Sequence, residues 1–217
     1  MLGPPGAGKG TQAARFARQR GVPKISTGDI LREAIKDELP VALVAKAKMD
    51  RGELVDDETM VAIVRERLAK DDTRPGFVLD GFPRTVAQAQ ALDGIIEQRG
   101  NGPLVIAKIV VPEDELVRRL ASRRICSKCG TNADPFDVDP ASACKRCGGE
   151  LVQRSDDGEQ VVLERLKVFQ RDTRPLVEYY RERPTFRVVN GAQAPDRVAH
   201  DLDTMIDDAA AVGGAVA

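Results

Sequence analysis

A chain of 217 residues is long enough to bury a full core, as one α/β domain with insertions or as two small domains. Its 33 basic and 34 acidic residues leave a formal charge of −1, which excludes a global field that would gather nucleic acid or an anionic membrane. Two Tyr, six Phe and no Trp give few platforms for stacking bases, and the apolar runs are strand-length, too short to span a bilayer. No secretory apolar segment stands at the start, so the expectation is a cytosolic protein with neither nucleic-acid nor membrane partners. Its four cysteines then need a reason other than a structural disulfide.

In chain order the first signal is Gly3 to Thr11, Gly-Pro-Pro-Gly-Ala-Gly-Lys-Gly-Thr, set directly before an Ala-rich helical run from Gln12 to Arg20. Glycines at 3, 6, 8 and 10 let the backbone turn tightly and point its N–H groups inward. Such a nest cradles phosphate oxygens, Lys9 adds a point charge, and the helix brings its positive dipole end. A flexible Gly/Pro linker would rarely place Lys-Gly-Thr at a helix start. The general pattern wants Ser or Thr directly after the lysine as a Mg²⁺ ligand. Here Gly10 holds that slot and Thr11 follows, so Mg²⁺ is expected on phosphates, waters and a distant carboxylate. The spacing resembles that of nucleoside monophosphate kinases. A buried strand should precede such a loop, yet only Met1 and Leu2 do. The favoured expectation is a start short by one strand, about five residues. A version extended by an apolar strand should then melt higher.

Downstream, short apolar runs alternate with helical patterns, the βαβ signature of a mainly parallel sheet. Strands are expected at Pro23 to Ser26, Phe77 to Leu79, Leu104 to Val111 and Phe186 to Val189. Met60, Ile63, Val64 and Leu68 fall at helical spacing behind Asp56 and Asp57 as caps. Val86, Leu92, Ile95 and Ile96 mark a second helix stopping near Gly100. Leu116, Val117 and Leu120 mark a third, opened by Pro112 and Glu113 to Glu115. Val198, Leu202, Met205 and Ile206 mark the last, with lone His200 on its surface and a tail from Ala209 to Ala217 expected to fray.

Three constellations carry chemistry. Cys126-x2-Cys129 and Cys144-x2-Cys147 are separated by fourteen residues, Gly130 to Ala143. Two such knuckles suit a tetrahedral Zn²⁺ held by four thiolates, against the alternatives of redox disulfides or unrelated thiols. Few apolar residues lie between Ser127 and Gly149, so metal would supply much of the folding energy there, and four protein ligands leave no open position for catalysis. Second, Phe77-Val78-Leu79-Asp80 ends an apolar strand on a carboxylate, the placement that holds Mg²⁺ beside a phosphate loop, although an ordinary strand-end Asp reads alike. Gly81-Phe82-Pro83-Arg84-Thr85 follows and sets a guanidinium beside it. Ser26-Thr27-Gly28-Asp29 ends another strand, and Thr27 or Asp29 could cap the helix carrying Arg32. Third, Arg118, Arg119, Arg123 and Arg124 crowd the entry to the cysteine insert, with Arg154 and Arg165 at its exit. Alone they read as a solvated face offsetting a helix dipole; with the phosphate loop they read as a clamp of bidentate forks.

Together these residues resemble adenylate kinase of the long type with a zinc-bearing lid. The resemblance covers nearly the whole chain: Gly3 to Thr11, Ile25-Ser26-Thr27-Gly28-Asp29, Leu79 to Thr85, the four cysteines, and Arg154-Ser155-Asp156-Asp157. It implies a phosphate-loop α/β core, an AMP-binding segment inserted at 26–55 and a lid inserted at 122–156. By the same resemblance Gly6, Ala7, Gly8, Lys9, Gly10 and Thr11 would hold ATP phosphates, and Gln193 would meet the ATP adenine through its backbone. Thr27, Arg32, Glu53, Leu54, Val55, Gly81, Phe82, Pro83, Arg84 and Gln88 match AMP positions, Gln88 reading the adenine edge. Arg119, Arg123, Arg154 and Arg165 match the clamp, the latter two also on the AMP side, and Asp80 the Mg²⁺-orienting carboxylate. Where the family has an aromatic after the second cysteine, in its ATP adenine pocket, Asn132 and Ala133 stand here. The implied reaction is Mg·ATP plus AMP giving two ADP, reversibly, by a monomer with structural Zn²⁺. A kinase of the same build preferring GMP or UMP, or a zinc-ribbon nucleic-acid binder, are the competing readings.

Overall fold

The computed structural model describes residues 1–37, 40–100, 102–133, 143–154 and 156–214. Helix α1 (Lys9–Arg20) leads to β1 (Lys24–Ser26), then α2 (Thr27–Lys36), α3 (Pro40–Asp50) and α4 (Asp57–Leu68). Next come β2 (Val78–Asp80), α5 (Val86–Arg99), β3 (Ile106–Val110) and α6 (Glu113–Ala121). A hairpin of β4 (Ile125–Cys126) and β5 (Leu151–Val152) precedes α7 (Glu159–Val168), α8 (Pro175–Tyr180), β6 (Phe186–Asn190) and α9 (Pro195–Gly214).

Strands β1 and β2 pair in parallel, with Ser26 beside Asp80, and β3 and β6 pair in parallel, with Ile109 beside Val189. Between the two pairs lies the place where a central strand is expected, and Met1 and Leu2 occupy it. Leu2 bridges Lys108 in parallel, donating to the Ala107 carbonyl at 2.7 Å and accepting from the Ile109 N–H at 2.8 Å. The Met1 nitrogen donates to the Leu79 carbonyl at 2.9 Å. Two residues thus join β2 to β3, and the phosphate loop leaves from the carboxyl-end side of a parallel array, where open α/β sheets bind ligands.

All four expected strands form, each shifted at an end by one or two residues. One core cluster gathers Ile109, Val189, Leu116, Leu120, Val198 and Leu202 on one side of the sheet. Another packs Ile25, Leu79, Phe82, Val64, Leu68 and Leu92 beneath the α2–α5 segment. Helix α4 starts as expected, with Asp56 accepting the Thr59 N–H at 2.9 Å, and Gly100 ends α5 in the left-handed conformation at φ 63°.

Two expectations fail. Ser26, not Thr27 or Asp29, caps α2, its hydroxyl accepting the Asp29 N–H at 3.2 Å. Thr27 is buried and turned instead toward Gly81, donating to its carbonyl at 3.1 Å. The expected fraying from Ala209 is not seen as a loss of helix: α9 continues to Gly214, with Ala209 fully buried and Ala210 to Val212 exposed. Residues 215–217 of that expected tail lie outside the described residues.

Candidate active site

The phosphate loop opens α1 on Gly8, in the left-handed region at φ 90°, with no side chain capping the helix. Its first N–H groups are therefore left to a ligand. Lys9 curls back over the loop and donates to the Gly3 and Pro4 carbonyls at 2.7 and 2.8 Å. Burial pushes its ammonium down to about 7; Asp80 opposes that, while Arg84, Arg165 and Arg123 reinforce it. Four cationic side chains from four distant stretches of sequence therefore converge here.

Anionic phosphate beside Lys9 favours its charged form, so nucleotide binding must pull a proton back onto it. At pH 8, about nine-tenths of Lys9 lacks its proton in the empty site if its pKa is about 7, whereas ATP is already fully ionised. Titration calorimetry with ATP at pH 8, in buffers of differing ionisation enthalpy, should show uptake approaching one proton. Buffer-independent heats would contradict the buried-lysine assignment.

Asp80, at the end of β2, lies where the phosphates would meet α1. A β-carbon on Gly10 would stand 3.1 Å from Asp80 Oδ2 and 3.7 Å from Asn132 Nδ2. The glycine in the slot of the usual hydroxyl thus admits the carboxylate close to the helix. Hard oxygen from Asp80 beside a phosphate cradle fits Mg²⁺. Lys24, which the motifs had not singled out, reaches Asp80 at 3.6 Å and Asp29 at 3.3 Å, a half-buried counter-charge. Its signal was register: two residues before Ser26, which faces Asp80 across the sheet.

The clamp arginines sit around a pair of carboxylates. Arg123 forms a bidentate pair with Asp157, its Nε donating at 2.7 Å, and Arg165 Nη1 donates to the same carboxylate at 3.0 Å. Arg154 Nε donates to Asp156 at 3.0 Å. Burial would raise the Asp156 carboxyl, yet Arg154 and Arg165 outweigh it and hold it below its usual range. Burial, then Arg123 and Arg32, bring Arg154 down to about 10. Arg84 is likewise at about 10 through burial and the neighbouring Arg165, and donates to the Gly81 carbonyl at 2.9 Å. Asp156 and Asp157 are the partners that sequence reasoning passed over: both were in view, but without a role. Arg119 stands apart, donating to Glu115 at 2.7 Å and to the Gly191 carbonyl at 3.0 Å.

Of the residues expected to hold AMP, Gly81, Arg84 and Leu54 line a cavity of about 70 Å³ together with Gly52, Lys9 and Arg165. Pro83 also lines it, joined by a cis peptide bond to Phe82, which is buried with Val55 in one core cluster. Glu53 instead pairs with Arg51 at the surface at 2.8 Å. Arg32 pairs with Asp29 and lies close enough to influence Arg84, Arg154 and Asp156. Gln88 is buried between Asp57 and the Arg84 backbone. In the loop after β6, the Gln193 side chain donates to the Asn190 carbonyl at 2.9 Å and to Asp201 at 3.0 Å. Ala133 N–H bonds the Arg124 carbonyl at 2.9 Å, which seats Asn132 at the loop.

The four cysteine sulfurs lie within 4.8 Å of one another, with Cys126 to Cys147 at 3.4 Å and Cys129 to Cys144 at 3.7 Å. Four sulfurs at about 2.3 Å from one Zn²⁺ in a tetrahedron stand about 3.8 Å apart, so this donor set fits the ion. A β-carbon on Gly149 would fall 2.7 Å from Cys126 Sγ, so only glycine allows that approach.

A glycine-rich loop before α1 on parallel strands, a group of arginines and an insert carrying four clustered cysteines are the features of a P-loop nucleotide phosphotransferase. A family model described as adenylate kinase matches residues 1–185. The chain is 47% identical over 208 residues to an adenylate kinase of Geobacillus sp. (strain WCH70), covering 95% of this chain and 96% of that protein. It is 44% identical over 209 residues to an adenylate kinase of Archaeoglobus fulgidus, with the same coverage of 95% and 96%. The corresponding Bacillus subtilis (strain 168) protein is 47% identical over 208 residues, again 95% of this chain and 96% of that protein. The chain belongs to the adenylate kinase family.

Proposed function

We propose that this chain transfers the γ-phosphoryl group of Mg·ATP to AMP, reversibly giving two ADP, with the residues above in the following roles. The loop from Gly6 to Thr11 and Lys9 hold the ATP phosphates, with Arg119, Arg123, Asn132, Ala133 and the Gln193 backbone on the ATP side. Thr27, Arg32, the backbone of 53–55, Gly81 to Arg84 and Gln88 hold AMP. Arg84, Arg123, Arg154 and Arg165 surround the group in flight, and Asp80 would hold Mg²⁺ through its waters. That ion would neutralise phosphate charge and keep the chain extended. Lid and AMP segment are read as 122–156 and 26–55, and the four thiolates as the ligands of a structural Zn²⁺.

One observation carries this reading: Lys9, Arg84, Arg123 and Arg165 are mutually close enough to depress the lysine, although the sequence spreads them widely. Such a concentration of buried positive charge is costly unless a polyanion completes it. Phosphoryl transfer asks little covalent chemistry of a protein, chiefly positioning and charge stabilisation. When nucleotide arrives, Arg123 and Arg165 exchange the Asp157 carboxylate for phosphate oxygens, and closing the site keeps water from accepting the group. Thiolates available to a metal and a balanced charge accord with a cytosolic monomer.

The test is ADP formation from ATP with AMP, GMP, UMP or CMP as acceptor, with metal content measured on the same sample. AMP should win by at least about a hundredfold in kcat/KM, with about one zinc per chain. Preference for GMP or UMP would move the substrate assignment; absence of any transfer would overturn it.

A further inference from the structure

Gln88 is 2% exposed, and both ends of its amide are engaged. Its Oε1 accepts the Arg84 backbone N–H at 2.8 Å, and its Nε2 donates to Asp57 Oδ1 at 2.7 Å. These partners leave the amide no choice of direction, because a backbone N–H only donates and an ionised carboxylate only accepts. The second oxygen of Asp57 accepts the Thr85 hydroxyl at 2.9 Å, and Thr85 Oγ1 accepts the Gln88 N–H at 3.2 Å. The first residue of α4 is thereby tied to the first turn of α5 through one carboxylate.

An amide oxygen has two lone pairs and an amide nitrogen two hydrogens. Arg84 and Asp57 take one of each, so one acceptor and one donor remain side by side in a fixed order. Adenine offers an amino donor at position 6 next to an acceptor at N1. Hypoxanthine and guanine offer the reverse, a carbonyl at position 6 next to an N1–H. A glutamine free to turn over can serve either edge. Turning it here would set Nε2 against the Arg84 N–H and Oε1 against the carboxylate, two like-polarity contacts in a buried place.

We propose that Asp57 is a positioning residue that fixes the direction of the Gln88 amide and so makes the acceptor site read adenine and refuse 6-oxopurines. This rests on Gln88 facing the base of the acceptor monophosphate. IMP is the informative probe, since it differs from AMP only at position 6 and in the proton on N1.

In Asp57→Ala, the AMP to IMP ratio of kcat/KM should fall at least about tenfold, KM for AMP should rise, and KM for ATP should hold. A merely structural loss would move both substrates together. Asp57→Leu, of similar size and without an acceptor, carries the same expectation should the alanine variant be too unstable to assay. Gln88→Ala should erase the ratio. If it does while both Asp57 variants keep the ratio, the carboxylate does not orient the amide, and this proposal falls with the Gln88 assignment intact. If Gln88→Ala itself keeps the ratio, both fall.

Discussion

Lys9→Ala should lower turnover by at least about a hundredfold in a coupled ADP assay, because one strong cationic contact to the transferring group disappears. Lys9→Met, which keeps the stem and removes the charge, should lose as much. Neither should melt far from the parent protein. The ammonium is held against desolvation, with its pKa at about 7, so deleting it relieves a cost even as the Gly3 and Pro4 carbonyls lose their donor. Activity and stability therefore separate: turnover collapses while the thermal midpoint stays within a few degrees. Near-normal rates in Lys9→Met would reject the role given to this residue.

Stripping metal should act in the opposite order. Binding of structural zinc is worth about 10–16 kcal/mol in small fingers, most of it folding energy. Here few apolar residues lie between Ser127 and Gly149, and the four cysteine sulfurs lie within 4.8 Å of one another. With a strong chelator, a first unfolding transition should appear about 10 °C lower, the shift expected if some 3–4 kcal/mol of coupling between lid and core is lost. Below that transition, phosphoryl transfer should persist; above it, activity should fall with the lid, and added Zn²⁺ should restore both. Loss of activity at unchanged melting would assign the metal a chemical part instead.

The two experiments probe features that differed in how far they could be read from the chain. The phosphate loop was legible because its chemistry is local: nine consecutive residues supply the turns, the lysine and the helix start. The cysteines were legible because two knuckles and a short spacer leave few geometries for four sulfurs. The strand-end position of Asp80 followed from an apolar run stopping on a carboxylate. The cap of α2 did not follow, because Ser26, Thr27 and Asp29 are all good cap formers and only the burial of Thr27 against Gly81 decided among them. That α9 runs on past Ala209 was hidden too, since nothing in the chain marks Ala209 as the residue that the core covers.

By itself, the sequence determined the Gly-rich loop before α1, the alternation that builds parallel strand pairs and the four cysteines that cluster, and it proposed which arginines form the clamp. All of these rest on residue type and short spacing. Only the tertiary structure decided what each cation faces, that Asp156 and Asp157 pair with Arg154, Arg123 and Arg165, that Lys24 stands beside Asp80, and that Asp57 accepts from Gln88. Those pairings join residues up to tens of positions apart, and a charge or amide carries no mark in the chain of which distant partner will share its burial. Met1 and Leu2 show the same point in the backbone: no pattern in the chain announces that one bonds Leu79 of β2 and the other bridges Lys108 of β3.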